Sequence, residues 1–194
     1  MSTAREQILQ ATSALLEKQG FHGTGLNEIV RESGAPKGSL YYYFPQGKEQ
    51  IVSEAVLRSG LMTAERIRSG LAGRGNTSRV VHDFVMKIAE NVEQSGFAAG
   101  GPLTAVAMET ATQSERINAA CRQSYGLIEA TFRERLLEGG FAPAKAEELA
   151  EFITAAIEGG IILSRTYHTA DPLRSVAKQL KALLAQSKSI QEKK

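Results

Sequence analysis

The segment "GAPKGSLYYYFPQGKE", residues 34–49, brings together side chains that can bind phosphate. Three consecutive tyrosines stand between Lys37 and Lys48, and Gly38 follows the first of these lysines. Tyrosine hydroxyls and lysine ammonium groups donate hydrogen bonds to phosphate oxygens, and a glycine lets a polymer backbone approach closely. These residue types therefore indicate contact with the phosphate backbone of a nucleic acid.

A short helix would give the aromatic residues of this segment different roles. With about 100° per residue, Phe44 falls close to Leu40, whereas Gly38 and Tyr42 lie on the opposite face. We expect Leu40 and Phe44 to anchor the helix to a core; ordinary surface cover on a packed helix is the alternative for the tyrosines. The residues left to face a ligand are Gly38, Ser39, Tyr41 and Tyr42.

The neighbouring elements predict a helix-turn-helix. A supporting helix begins at the capping box of Thr3 and Glu6, and a second helix over about 26–33 ends at Gly34. A glycine-containing turn then leads to the aromatic helix, which would enter a major groove. The long helix that follows begins near Lys48, whose ammonium and helix N-terminus together favour a further anion contact.

The rest of the chain is also helical in pattern. Apolar residues recur with helical spacing, and no stretch alternates as a convincing strand does. The sequence therefore predicts an all-α fold of about nine helices. The later helices are expected at roughly 77–95, 103–112, 114–138, 143–168 and 172–187.

The composition limits the classes of protein that this chain can be. Its 194 residues are 42% hydrophobic and 23% charged, as in an ordinary globular protein, and no apolar run reaches the length of a membrane span. The N-terminus does not resemble a secretory signal, and the single cysteine, Cys121, cannot form an intramolecular disulfide. These features favour the cytoplasm.

The sequence offers little for catalysis. His22, His82 and His168 lie far apart, and there is no HExxH, glycine-rich phosphate loop or CxxC pattern. We therefore expect no enzyme, catalytic residue, metal site or cofactor. The net charge is only +2, and acidic and basic residues balance within residues 1–50, so any DNA affinity must depend on where the charges sit.

The stretch "TGLNEIVRESGAPKGSLYYYFPQGKEQIV", residues 24–52, resembles the DNA-binding region of the TetR family of bacterial transcriptional repressors. In that family the helix-turn-helix ends in Gly-Ser/Thr-Leu-Tyr-x-x-Phe and a lysine follows. The form "APKGSLYYYFPQGKEQ" and the later "GGPLTAVAMET" are similar to the LmrA/YxaF-like branch. The resemblance implies DNA-backbone contacts from Thr24, Tyr42 and Lys48, and groove contacts from Lys37, Gly38, Ser39 and Tyr41.

The resemblance also implies a domain order. Residues 1–49 are expected to form an N-terminal three-helix helix-turn-helix DNA-binding domain, residues 50–187 a helical ligand-sensing and dimerisation domain, and residues 188–194 a solvated tail. The dimer would use the last two long helices, in which Ala156 and Gly160 allow close helix approach; intramolecular core is the alternative. The predicted interface residues are Phe152, Ile153, Ala156, Ile157, Gly160, Ile161, Val176, Leu180, Leu183 and Leu184.

A small molecule is expected among the middle helices. Methionine side chains adapt to irregular ligands, and Arg66, Thr104 or Tyr125 could orient one through a polar contact. Ordinary core packing is the alternative for each apolar residue. The predicted lining residues are Met62, Arg66, Phe84, Ile88, Phe97, Thr104, Met108, Cys121, Tyr125 and Phe132.

The function implied by the resemblance is a ligand-responsive transcriptional repressor, released from its operator by a small apolar or aromatic inducer. Its expected partners are double-stranded operator DNA, a second copy of the chain and an unidentified small-molecule inducer, with no membrane. The balanced charge of residues 1–50 leaves one alternative open: an all-α protein-interaction module whose head has lost DNA binding.

Overall fold

The computed structural model describes residues 3–73 and 75–191, and the secondary structure of these residues is entirely helical. The all-α prediction is confirmed for them. None of the helices in these two ranges is long and apolar enough to cross a membrane. The helices are α1 (Ala4–Gly23), α2 (Leu26–Ser33), α3 (Lys37–Tyr43), α4 (Lys48–Leu71), α5 (Thr77–Gln94), α6 (Leu103–Thr110), α7 (Glu115–Glu138), α8 (Pro143–Tyr167) and α9 (Asp171–Gln191).

Helix α1 begins as the sequence predicts. The Thr3 hydroxyl accepts a hydrogen bond from the Glu6 N–H, and the Glu6 carboxylate accepts one from the Thr3 N–H, so the capping box is complete. Gly20 forms a kink in this helix: it has φ 70° and ψ −172°, and helical structure resumes as far as Gly23.

One glycine and two buried apolar side chains fix the helix-turn-helix. Gly34 ends α2 in the left-handed conformation, with φ 64°, which glycine adopts without strain. Leu40 and Phe44 are both 0% exposed, so their predicted role as anchors of α3 is confirmed. Because these two side chains are fixed inside, the opposite face of α3 points outwards.

The described residues form two compact units that interleave along the chain. The first is drawn from Met1–Thr63 and Gly101–Leu127, and the second from Ala64–Gly100 and Ile128–Lys194. The division into residues 1–49, 50–187 and 188–194 stays a prediction. Within the predicted tail, residues 188–191 continue the backbone of α9, and residues 192–194 lie outside the described residues.

Within the first unit, α1 packs against α2, α3 and α6. Within the second, α9 packs against α5 and α8. The inward face of α9 is formed by Leu173, Ala177, Leu180 and Leu184, spaced four, three and four residues apart and at most 1% exposed. This face is the core of the second unit.

The core position of these residues corrects part of the predicted dimer interface. Leu180 and Leu184 contact their own chain, and so do Ile153, at 0% exposed, and Ile157, at 7%. Gly160 is buried as well, and a Cβ added there would come within 2.9 Å of Leu173. The sequence shows that α8 and α9 carry many apolar residues. Packing within the chain buries the apolar residues named here, so they are not free to form a dimer interface.

Replacing Leu180 with alanine should lower the free energy of unfolding by about 2–5 kcal/mol, because the change leaves a cavity in a fully packed core. Urea denaturation followed by circular dichroism measures this. Gln179→Ala, on the exposed side of the same helix, is the matched control and should change stability by no more than about 0.5 kcal/mol. If the free energy of unfolding were unchanged and the oligomer were lost, Leu180 would belong to a dimer interface and not to the core.

Candidate nucleic-acid interface

The outward side of α3 carries most of the predicted DNA contacts; we call it the α3 outer face and define it as Lys37, Gly38, Ser39, Tyr41 and Tyr42. Tyr42 is 78% exposed and Tyr41 52%. Lys37 and Gly38 are exposed and Ser39 is half-buried, and a Cβ built on Gly38 meets nothing within 4 Å. The structure thus places these five residues together on a surface that a large ligand can reach.

Lys48 lies at the start of α4, but its side chain turns inwards. Its Nζ donates to the Phe21 carbonyl oxygen at 2.7 Å and lies 4.2 Å from the centre of the Phe21 ring. Burial lowers the pKa of Lys48 from its ordinary value, and the negative charge of Glu109 opposes that shift. Because an ammonium has three donors, Lys48 retains capacity for a phosphate while it holds Phe21.

Thr24 departs from its prediction. Its side chain is 0% exposed, and its hydroxyl donates to the Gly20 carbonyl oxygen at 2.7 Å. The hydroxyl thus satisfies a carbonyl at the kink of α1 and is not presented at the surface. The expected contact between the Thr24 side chain and a DNA backbone does not fit this burial.

Arg116 supports the site in a way that sequence reasoning missed. It lies in α7 and donates to the side chain of Gln46, in the turn between α3 and α4, and to the Ser53 hydroxyl at 3.1 Å. The Gln46 N–H in turn donates to the Gln50 side chain at 3.0 Å. No local sequence signal reveals these contacts, because Arg116 is more than sixty positions from its partners.

The predicted ligand residues fall on both compact units. Met62, Thr104, Met108, Cys121 and Tyr125 belong to the first, and Arg66, Phe84, Ile88, Phe97 and Phe132 to the second. Phe84 and Phe132 are buried and pack edge to face, and Thr104 and Tyr125 share a hydrogen bond of 3.2 Å. Met62, Arg66 and Met108 are exposed, which does not fit their predicted place in the wall of an enclosed cavity.

The one cysteine of the sequence is chemically protected. Cys121 is 2% exposed, and burial raises the pKa of its thiol to about 11. A thiol reacts as its thiolate, so Cys121 is a poor nucleophile near neutral pH. In the part of the chain that the structure describes, no group of three or more His, Cys, Asp or Glu side chains could hold a metal ion.

Helices α1, α2 and α3 form an N-terminal helix-turn-helix region in which α3 is the exposed second helix. A longer helical region follows it. Helix-turn-helix transcription regulators have this architecture. The family model "Bacterial regulatory proteins, tetR family" matches residues 8–55. The model "Transcriptional regulator LmrA/YxaF-like, C-terminal domain" matches residues 78–179. The chain belongs to the TetR family of DNA-binding transcriptional regulators, and its C-terminal part to the LmrA/YxaF-like group.

Full-length relatives agree with this assignment. The chain is 39% identical to the HTH-type transcriptional regulator YxaF of Bacillus subtilis (strain 168), over 93% of this chain and 95% of YxaF. It is 35% identical to the HTH-type transcriptional regulator LmrA of the same organism, over 93% of this chain and 96% of LmrA. These relatives are named as transcriptional regulators, not as enzymes.

Solved structures share the fold at lower identity. The regulatory protein TetR from Rhodobacter sphaeroides superposes with a TM-score of 0.81 at 20% identity, covering 93% of this chain and 98% of that one. A cysteine mutant of the TetR family regulator CifR, complexed with double-strand operator DNA, gives 0.77 at 21% identity, covering 94% and 97%. Both likenesses extend over nearly the whole chain.

Gly38→Glu should abolish binding to specific DNA while leaving the fold intact. The space around Gly38 is open, so the free protein tolerates a side chain, but a carboxylate on the α3 outer face would repel phosphate. Fluorescence anisotropy with a labelled duplex measures affinity, and thermal unfolding checks the fold. Gln179→Glu makes a similar charge change on the exposed side of α9 and should bind as the parent protein does. Unimpaired binding by Gly38→Glu would mean that Gly38 does not face DNA.

Proposed function

We propose that this protein is a repressor that binds operator DNA as a homodimer and is released by a small apolar or aromatic inducer. The observation that carries the DNA-binding part is the α3 outer face, on which exposed tyrosines flank a glycine with open space above it. Lys48 is the first residue of α4, the helix that follows α3, and its ammonium keeps donors for a phosphate besides its bond to Phe21. The operator complex of CifR, a protein of the same fold, supports this mode of binding.

The proposed homodimer uses an apolar stripe on α8, which we call the α8 stripe and which consists of the exposed Phe152, Leu163 and Tyr167 and the half-buried Gly159. Phe152 is 52% exposed, Leu163 44% and Tyr167 63%. Their spacing of seven, four and four residues keeps them on one side of the helix, about 100° from the core face that begins at Ile153. Of the residues first predicted for the interface, Phe152 lies in this stripe and the half-buried Ala156 beside it.

A large apolar stripe is better covered than left in water, and a second copy of the same helix is its natural partner. Gly159 lets a partner helix approach closely, since even a Cβ added there would meet no atom within 4 Å. A dimer with two α3 helices would read two half-sites about 34–36 Å apart, so we expect a palindromic operator. Such a regulator acts where the chromosome is, which places it in the cytoplasm.

The proposed inducer class follows from the side chains of the middle helices. Ile88 of α5 and Phe97, in the turn that follows this helix, are half-buried apolar residues of the second unit. Apolar walls with few polar groups are typical of small-molecule sites. An inducer that binds the DNA-free form about 100-fold better than the DNA-bound form would weaken operator binding by about 2.7 kcal/mol.

The experiment that tests this function is selection of duplexes from a random-sequence pool by the purified protein. We expect an enriched palindrome whose half-site centres are about one helical turn apart. Its affinity should fall with salt at about 0.9 log units per phosphate contact for each tenfold increase in salt. Apolar aromatic compounds that release the selected duplex would identify the inducer class. Failure to enrich any sequence would favour the protein-interaction module instead.

Leu163→Glu should convert the dimer to a monomer, because it places a charge in the middle of the α8 stripe. Loss of the second half-site contact should weaken binding to the selected palindrome by about 100-fold or more. Light scattering gives the mass, and anisotropy gives the affinity. Lys87→Gln, on the exposed side of α5, makes the same change of one unit in net charge and should remain dimeric. A Leu163→Glu protein that is still a dimer would place the interface elsewhere.

A further inference from the structure

Helix α6 is fastened to α1 at both of its ends. Before its first turn, the Gly101 N–H donates to the Glu17 carboxylate of α1 at 2.9 Å. At its last turn, the Glu109 carboxylate accepts a hydrogen bond of 2.9 Å from the His22 N–H, near the end of α1. Each bond joins a carboxylate to a backbone amide, and hydrogen bonds to charged groups are stronger than neutral ones. Movement of α6 along α1 would therefore break at least one of them.

The end of α1 is shaped around the Glu109 carboxylate. Gly20 has φ 70°, and a Cβ added there would lie well inside van der Waals contact with the Glu109 carboxylate. Glycine is therefore favoured by the backbone conformation, and the missing Cβ permits the close approach of Glu109. The Gly20 carbonyl oxygen accepts the buried hydroxyl of Thr24, which is the last residue but one before α2. We call residues 20–24 the α1–α2 corner.

Lys48 joins the same corner from α4. Its ammonium donates to the Phe21 carbonyl oxygen at 2.7 Å, and the charge of Glu109 helps keep it protonated against the effect of burial. The α1–α2 corner determines where α2 begins, and Lys48 is the first residue of α4. The two helices that bracket the α3 outer face in sequence are thus both tied to the corner that Glu109 holds.

We propose that Glu109 is a positioning residue for DNA binding, which acts from α6 by holding the α1–α2 corner through the His22 amide. The inference rests on the proposed DNA-binding face, but it concerns a residue of α6 that lies outside the helix-turn-helix. Helix α6 thereby acts on the helix-turn-helix region. While Glu109 is in place, it keeps the α1–α2 corner, α2 and Lys48 in the arrangement that binding to a phosphate backbone requires.

Glu109→Ala should weaken binding to the selected palindrome by about tenfold, the effect of one lost charge-assisted hydrogen bond. Glu109→Gln keeps an acceptor for the His22 N–H and should stay within about threefold of the parent protein. Long-range electrostatics alone predicts the opposite sign, because removing a negative charge from a DNA-binding protein strengthens its attraction to phosphate. Glu49→Ala, an exposed neighbour of Lys48, is the matched control and should bind as tightly as the parent or more tightly.

A second measurement follows the corner without DNA. Hydrogen exchange of a peptide spanning residues 17–26, read by mass spectrometry on the free full-length protein, should accelerate in Glu109→Ala and stay slow in Glu109→Gln. All variants are compared below their unfolding temperatures, so a general loss of stability is separated from local release. The expected pattern is fast exchange with weak binding in the alanine variant, and restoration of both in the glutamine variant.

Three outcomes would overturn the proposal. Unweakened binding by Glu109→Ala would show that Glu109 does not position the head, whether or not exchange accelerates. Equal weakening by the alanine and glutamine variants would assign the effect to the charge and not to the hydrogen bond. If the parent protein selects no duplex, the proposed function fails first and this inference fails with it. That case is recognised because the parent protein, and not only the variants, is inactive.

Discussion

The burial of Leu40 and Phe44 is the constraint on which the recognition surface depends. Helix α3 has only seven residues, and a helix this short is not stable by itself in water. Its outward residues keep their positions because these two side chains are locked in the core, at 0% exposed. The Arg5 guanidinium lies 5.6 Å from the centre of the Phe44 ring and forms an ion pair with Glu54. Arg5 thereby covers Phe44 on its outer side.

The sequence predicts well those features that neighbouring residues determine. The capping box of Thr3 and Glu6 needs only one turn of helix, and both of its hydrogen bonds are present. Gly34 ends α2 because glycine adopts positive φ readily. The division of α3 into inner and outer faces follows from the geometry of one helix and a single apolar side. The fold class follows in the same way, from helical spacing repeated along the chain.

Features decided by distant residues could not be predicted in this way. Helix α8 has two apolar faces about 100° apart, and only packing shows that Ile153 and Ile157 face the core while Phe152 and Leu163 stay exposed. Thr24 looks like a surface threonine in the sequence, but the kink at Gly20 gives its hydroxyl a carbonyl partner. The contacts of Arg116 and Glu109 join residues more than sixty positions apart.

The interleaving of the two compact units has a consequence for synthesis of the chain. The first unit includes Gly101–Leu127 as well as the N-terminal segment, so it is incomplete while only the first hundred residues have left the ribosome. Until α6 and the first half of α7 emerge, the nascent helix-turn-helix lacks the partners of His22 and Gln46. A newly made chain would therefore complete the contacts of its DNA-binding region only after about two thirds of it has left the ribosome.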